Sequence, residues 1–262
     1  MQALEGKRGL VMGVANERSI AWGIAKACAE AGAELAFTYQ GEAFGKRLEP
    51  LAASVGSDFM VDVDVTDDAS LDAAFEALQA RWGTMDFLVH AIAYSDKSEL
   101  QGRILDTSRQ NFKTSLDISA YSFIDVARRA HPMMVEGGGT LLTLTYMGST
   151  RVTPNYNVMG VAKAALESTV RYLANDLGPE GIRVNAISPG PMKTLAGAAI
   201  GGARKTYKHT DQNAPLLANA TLDAVGGTAV HLISDAGACT TGEILRVDGG
   251  FHVLGMPRYE NL

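Results

Sequence analysis

Two tyrosines and a lysine, Tyr146, Tyr156 and Lys163, stand at spacings that suit acid–base chemistry. Residues seven apart on a helix nearly eclipse, about 10 Å apart along the axis at ~1.5 Å per residue, so Tyr156 and Lys163 face the same way. A phenol, with a reference pKa of about 10, is a poor acid at neutral pH, and a nearby ammonium that favours phenolate character makes it useful. A lysine there can also hold the ribose of a nicotinamide nucleotide. The spacing fits a helix-start core aromatic and a solvated charge equally well, and does not by itself separate the two.

A second group of residues suits a dinucleotide. The stretch from Gly13 to Gly23 follows an apolar strand and opens a helix. Gly13 can turn tightly and let backbone approach a pyrophosphate, while the amides at Ser19 and Ile20 bring donors and the positive end of a helix dipole. Ser19 fits an N-cap or a phosphate ligand. The stretch lacks the G-x-G-x-x-G pattern, and glycines mark ordinary turns as readily; its place after the first strand favours phosphate.

Gln40 closes the second strand, where an acid usually binds the adenosine ribose or a base accepts a 2′-phosphate. An amide can bond a hydroxyl, and the nearest cations, Lys46 and Arg47, fall in the next helix, which favours NADH over NADPH; a merely solvated Gln40 is the alternative. Asp64 and Val65 follow the third strand and can bracket an adenine. His90-Ala91-Ile92-Ala93 ends the fourth with small residues that let a cofactor pass, His90 itself reading as a packed histidine.

Positioning these residues requires a framework, and the hydropathy supplies one. Apolar, β-rich runs at 9–12, 34–38, 59–63, 87–91, 140–145, 183–187 and 244–247 alternate with helical periodicity at 20–31, 42–53, 69–81, 111–134, 156–177 and 222–234. Such alternation predicts an α/β Rossmann fold: one seven-stranded parallel sheet with helices on both faces, in a single domain spanning 1–262. Only the interval 189–217 departs from the pattern, and it reads as a loop at the sheet's carboxyl edge that covers the ligand.

Composition narrows the rest. Of 262 residues 47% are hydrophobic and 20% charged, which excludes disorder. A net charge of −6 offers no field for a phosphate backbone, so no nucleic-acid partner is expected. Two isolated cysteines, Cys28 and Cys239, make neither a disulfide framework nor a metal site, and fit the reduced thiols of a cytoplasmic protein. No apolar run reaches ~18 residues, so no membrane span is expected, and the first residues lack the regions of a signal peptide.

The Gly13–Gly23 loop with Ser19, Ala21 and Gly23, the Tyr156-x6-Lys163 pair preceded by Tyr146, the run Asn185-Ala186-Ile187-Ser188-Pro189-Gly190-Pro191 and Val247-Asp248-Gly249-Gly250-Phe251 together resemble the bacterial NADH-dependent enoyl-acyl carrier protein reductases. These are divergent members of the short-chain dehydrogenase/reductase superfamily, whose ordinary members pair tyrosine and lysine four residues apart. Here position 160, four after Tyr156, is glycine. An ordinary member also carries a serine or threonine eleven to thirteen residues before its tyrosine, a place Thr143 or Thr145 could fill.

The resemblance implies reduction of a trans-2-enoyl thioester on acyl carrier protein to the saturated thioester with NADH, in the type II fatty acid elongation cycle. It implies Tyr156 as donor to the thioester oxyanion, Lys163 on the nicotinamide ribose, and Tyr146 in substrate binding or proton delivery. It sets Ile92, Met192, Thr194 and Ala196 beside the nicotinamide, and Ser95, Tyr146, Tyr156, Met159, Ala196 and Ile200 along the acyl chain. The segment 194–202 is then expected to order on cofactor binding, the basic run Arg204-Lys205-Thr206-Tyr207-Lys208-His209 to dock the acidic carrier, and the chain to form a homotetramer.

Family members often carry Gly-Phe-Ala where this chain has Ala93-Tyr94-Ser95, which puts a methyl group in a cofactor-facing wall. Two competing readings remain: a carbonyl reductase of the same superfamily, disfavoured by Gly160, and a dinucleotide-binding sensor without turnover, which would need neither tyrosine.

Overall fold

Strands buried on both faces need continuous runs of large apolar residues rather than alternation. A computed structural model, describing residues 2–195, 197 and 200–261, places seven such runs in one sheet. They are β1 (Arg8–Met12), β2 (Glu34–Tyr39), β3 (Met60–Asp62), β4 (Phe87–His90), β5 (Gly139–Leu144), β6 (Ile182–Pro189) and β7 (Ile244–Val247). Every pairing is parallel, in the order β3-β2-β1-β4-β5-β6-β7. The order reverses between β1 and β4, and at such a point the loops leaving the carboxyl ends of neighbouring strands diverge and leave a crevice.

Helices cover both faces. On one, α1 (Ile20–Glu30), α2 (Glu42–Ser54) and α8 (Leu222–Ile233) enclose Val11, Phe37, Phe87 and Val89. On the other, α3 (Asp68–Trp82), α5 (Ser122–Ala130) and α6 (Asn157–Leu177) enclose Leu10, Leu88, Leu141 and Val184. Phe123 of α5 is wholly buried there, and truncation to alanine would cost roughly 3–5 kcal/mol. The last carbonyls of α8 lack intrahelical donors. The Arg183 guanidinium of β6 meets that need, donating to Leu232 O, Ile233 O and Ser234 O and tying the helix end to the sheet.

Two expectations about helices are corrected. The single helix expected over 111–134 is α4 (Arg109–Leu116), a π turn at Asp117–Tyr121, α5, and a 3-10 turn at His131–Met133. Pro132, lacking an amide proton, sits where the helix tightens and stops. The π turn aims Ser119 at the backbone beyond β4: its Oγ accepts from Tyr94 N at 3.0 Å. Ser122, just past the turn, meets His90 at 2.8 Å. The covering interval 189–217, read as loop, contains an eleven-residue helix, α7 (Ala203–Asn213).

Candidate active site

Helix α6 turns a continuous stripe toward the sheet: Met159, Ala162, Lys163, Leu166, Glu167, Val170 and Ala174, all buried. Two of these seven are ionisable, which an ordinary core stripe avoids. Lys163 Nζ donates to Leu144 O at the end of β5, 2.8 Å away. Two residues on, the Tyr146 ring meets the Tyr156 ring edge to face, centroids 5.1 Å apart. The expected trio is thus gathered where β5 ends.

These rings form one wall of a cleft of about 590 Å³ at the carboxyl ends of β4, β5 and β6, with Ala93, Ser95, Met192 and Thr194 among its other lining residues. Leu100, Val158, Met159 and Ile200 pack with both tyrosines in a separate apolar cluster on its floor. Of the residues expected along an acyl chain, Ser95, Tyr146, Tyr156, Met159 and Ile200 all line the cleft; Ala196 lies outside the described residues. Ser95 is held from below by Asn111, whose Nδ2 donates to its Oγ at 3.2 Å.

The electrostatics correct one expectation. Lys163 was to favour phenolate character in Tyr156, but burial pushes the Tyr156 phenol upward, with the Tyr146 and Glu167 charges adding to the shift. Burial likewise pushes Tyr146 up to about 12. Both phenols are therefore neutral donors at any physiological pH. Lys163 is moved the other way, down to about 8 by burial, with Glu167 opposing the fall. His90 is packed as expected: wholly buried, it lies 3.1 Å from Thr143 Oγ1 and 2.8 Å from Ser122 Oγ. Burial and the Lys163 charge lower it to about 3, so it stays neutral.

The remaining expected residues lie along the reversal between β1 and β4. Gly13 has φ +95°, and a Cβ there would stand 2.2 Å from Ala91 O, so only glycine lets the loop pass this close to the end of β4. Ser19 occupies the N-cap position of α1 without capping it; its Oγ accepts from the amides of Ala15 and Asn16, both at 3.0 Å. The first two amides of α1, on Ile20 and Ala21, have no intrahelical acceptor, and Ile20 borders the cleft. A negatively charged group fits there.

Gln40 is exposed, and Asp64 Oδ1 accepts from Thr66 N at 2.9 Å and Thr66 Oγ1 at 2.7 Å; the Thr66 bonds hold the Asp64 carboxyl below the usual range, with a smaller contribution from Gln40. Lys46 is ion-paired with Glu42 and Arg47 lies over the Phe44 ring, both on α2 beyond Gln40. Val65 and Ile92 are half-buried against the core under α3 and α5 rather than lining the cleft. Thr194 Oγ1 accepts from Gly197 N at 2.9 Å, closing a turn at the cleft's rim.

Helix α7 carries Arg204, Lys205 and Lys208 on its exposed side, beside the cleft mouth formed by Ala203 and Thr206. Its far end is fastened by buried Asn213, whose Oδ1 accepts from Arg258 N at 2.8 Å and whose Nδ2 donates to His209 O at 2.8 Å. Near its first turn, Asn155 Nδ2 donates to Gly201 O at 2.7 Å.

Sequence reasoning passed over Asn111, Asn155 and Glu167. The first two are polar residues in polar stretches and gave no signal. Glu167 did: it falls at a core position of the α6 period, four residues after Lys163.

Among the described residues no helix is long and apolar enough to cross a membrane. Residues 13–252 match the model of the family described as enoyl-(acyl carrier protein) reductase. The chain is 58% identical over 259 residues to enoyl-(acyl-carrier-protein) reductase (NADH) 2 of Rhizobium meliloti, covering 99% of this chain and 96% of that protein. A crystal structure of FabI from Candidatus Liberibacter asiaticus superposes with a TM-score of 0.96 at 51% identity, over 98% of this chain and all of that one. That of the enoyl-(acyl-carrier-protein) reductase of Anaplasma phagocytophilum in complex with NAD superposes with a TM-score of 0.94 at 53% identity, over 97% of each chain.

Proposed function

The chain belongs to the enoyl-(acyl carrier protein) reductase family, and from that premise we propose that it uses NADH to reduce trans-2-enoyl thioesters, carried on acyl carrier protein, to saturated acyl thioesters in type II fatty acid biosynthesis. The observation that carries this reading is the pair of neutral phenols, Tyr146 and Tyr156, set edge to face above an apolar cluster beside buried Lys163. An ordinary carbonyl reductase of the superfamily would place its tyrosine four residues before the lysine, and that position holds Met159. Its hydroxyl partner is missing too, since Thr143 Oγ1 donates to His90 O and Thr145 Oγ1 to Glu167.

The residues present suit the dinucleotide. Gly13 and the free amides opening α1 would take the pyrophosphate, Gln40 and Asp64 the adenosine end with Val65 beside the adenine, Lys163 the nicotinamide ribose, and Ile92, Met192, Thr194 and Ala196 the nicotinamide side. Bound there, NADH supplies the hydride that adds to the β-carbon of the enoyl group. The chain's own task is the negative charge that this leaves on the thioester oxygen. Tyr156 OH, which has no hydrogen-bond partner among the described residues and stands in a desolvated wall, donates to that oxygen, where one such donor is worth about 10²–10³ in rate. Lys163 adds a positive field from behind, Tyr146 helps to bind the thioester, and Ser95, Met159, Ala196 and Ile200 line the acyl path.

We further assign the exposed cations of α7 to docking the acidic carrier, the interval 189–217 to covering the bound substrate, and the whole 262-residue chain to one catalytic domain working in the cytoplasm. A homotetramer would bury the exposed apolar residues Val253 and Met256 that follow β7.

The test is loss of NADH absorbance with a crotonyl or 2-octenoyl thioester, comparing the natural protein with Tyr156→Phe and Lys163→Met. A sharp fall in turnover in both variants is expected; NADH binding without turnover by the natural protein would overturn the reading in favour of a sensor.

A further inference from the structure

We propose that Glu167 is a positioning residue for this reaction: from one turn beyond Lys163, on the same buried face of α6, its carboxylate pins the turn that carries Tyr146 and sets a negative charge near the lysine. The inference rests on the reductase reading above and adds a residue to it.

The geometry is a two-point grip. Helix α6 holds the end of β5 on either side of Tyr146. Before it, Lys163 Nζ donates to Leu144 O at 2.8 Å. Also before it, Thr145 Oγ1 donates to Glu167 Oε1 at 2.7 Å; beyond it, Ser149 Oγ, in the 3-10 turn Met147–Ser149 that leaves Tyr146, donates to the same oxygen. Tyr146 therefore sits in a five-residue bend, Thr145 to Ser149, fixed to one carboxylate at both ends. Its ring, which makes the edge contact with Tyr156, has no hydrogen bond of its own among the described residues to hold it. A buried carboxylate costs far more to desolvate than a neutral side chain, so two donated hydroxyls and a nearby opposite charge are what let it stand in the core.

The same carboxylate acts on Lys163. An ammonium buried without compensation gives up its proton. Of the ionisable groups gathered round the end of β5 among the described residues, His90 on β4 is neutral and wholly buried, the phenols of Tyr146 and Tyr156 are neutral, and Glu167 sits one turn along α6. Of these only Glu167 brings an opposing charge; it raises the lysine while burial lowers it to about 8. Neutral lysine offers the site no positive field, so activity must fall on the alkaline side as Lys163 loses its proton.

The experiment follows kcat/KM for NADH between pH 6 and 10, which reports the ionisations of the free enzyme, in the natural protein, Glu167→Gln, Glu167→Asp and Lys163→Met. Glutamine keeps an acceptor for Thr145 and Ser149 but removes the charge: its alkaline limb should move about one pH unit toward acid, a loss of about tenfold near pH 9 with near-natural activity at pH 6. Aspartate keeps the charge but shortens the reach: its limb should stay in place while kcat falls at every pH. A purely structural role would lower activity uniformly and leave the limb of both variants where it was, and that result overturns the proposal. Should Glu167→Gln fail to fold, Thr145→Val with Ser149→Ala decides, since it frees the Tyr146 bend and leaves the charge; natural kcat there overturns the positioning role. If Lys163→Met is itself fully active, the reductase assignment of the lysine has failed rather than the inference drawn from it.

Discussion

Tyr146 and Tyr156 come from different elements, one from the exit of β5 and one from the entry to α6, yet their rings meet at 68° with centroids 5.1 Å apart. Edge-to-face pairs of this kind are worth about 0.5–1.5 kcal/mol beyond their buried area. The contact is between the rings, and both residues line the cleft. Each phenol is therefore separable from its ring: Tyr156→Phe should keep the packing and lower kcat by about 10²–10³-fold, the scale of one lost oxyanion donor. Tyr146→Phe should cost less, mainly in KM. Both variants should melt within about 2 °C of the natural protein; a large drop in Tm would mean that the hydroxyls hold the fold rather than serve the reaction.

Much of this was legible in the chain itself, because burial on both faces writes parallel strands as plain apolar runs, and all seven fell within two residues of the observed ends. The tyrosines and lysine were legible for the same reason, being tied to a strand exit and a helix period. Three features were not. Helix α7 reads Ala-Arg-Lys-Thr-Tyr-Lys-His-Thr-Asp-Gln-Asn, with too little apolar content to show a period; only Thr210 and Asn213 in it are buried. The π turn at Asp117–Tyr121 keeps a helical composition while shifting the helical phase, so periodicity passes through it unseen. The upward shift of Tyr156 depends on desolvation, a property of the assembled cleft, and spacing alone suggested the opposite sign.

Lys163→Met should be inactive and more stable. Burial lowers the lysine from 10.5 to about 8. The folded state thus disfavours the proton that the unfolded chain carries. At ~1.4 kcal/mol per pKa unit the penalty is about 3 kcal/mol, fully present below pH 8, shrinking between pH 8 and 10.5 and absent above. Methionine removes it at the cost of leaving Leu144 O without its donor, for a net gain of roughly 1–2 kcal/mol at pH 7. Thermal melts should show the variant ahead by a few degrees at pH 7, level with the natural protein at about pH 9.5, and behind it by pH 10.5, where only the lost bond to Leu144 O remains. A variant less stable at pH 7 would show that the lysine is not desolvated.

The exposed cations of α7 should matter for the carrier and not for the chemistry. Charge reversal at Arg204 and Lys205 ought to raise KM for carrier-bound enoyl substrate about tenfold at low salt, with less effect as salt screens the encounter. The same variant should use a coenzyme A thioester normally, since neither residue lines the cleft. Equal losses on both substrates would place these residues in the covering segment's own structure instead.

Gly160 stands where a lysine would fall four residues after Tyr156, and the space around it shows why no side chain is there. A Cβ at 160 would lie 2.8 Å from Gly148 O, and a Cβ at 148 would lie 2.4 Å from the Tyr156 ring. Helix α6 and the turn after Tyr146 are thus in backbone contact, with the Tyr156 ring packed on Gly148. In an exposed helix interior, glycine to alanine stabilises by about 1 kcal/mol. Here the added methyl must push the Met147–Ser149 turn outward, carrying Ser149 away from Glu167 and Tyr146 away from Tyr156. Gly160→Ala should therefore lower Tm instead of raising it, and lower kcat about tenfold with little change in KM for NADH, since the residues proposed for its adenosine and pyrophosphate follow β1, β2 and β3, on the other side of β4. A more stable variant with natural turnover would mean that the approach of helix to turn is loose, and that the absence of a lysine at 160 has some cause other than space.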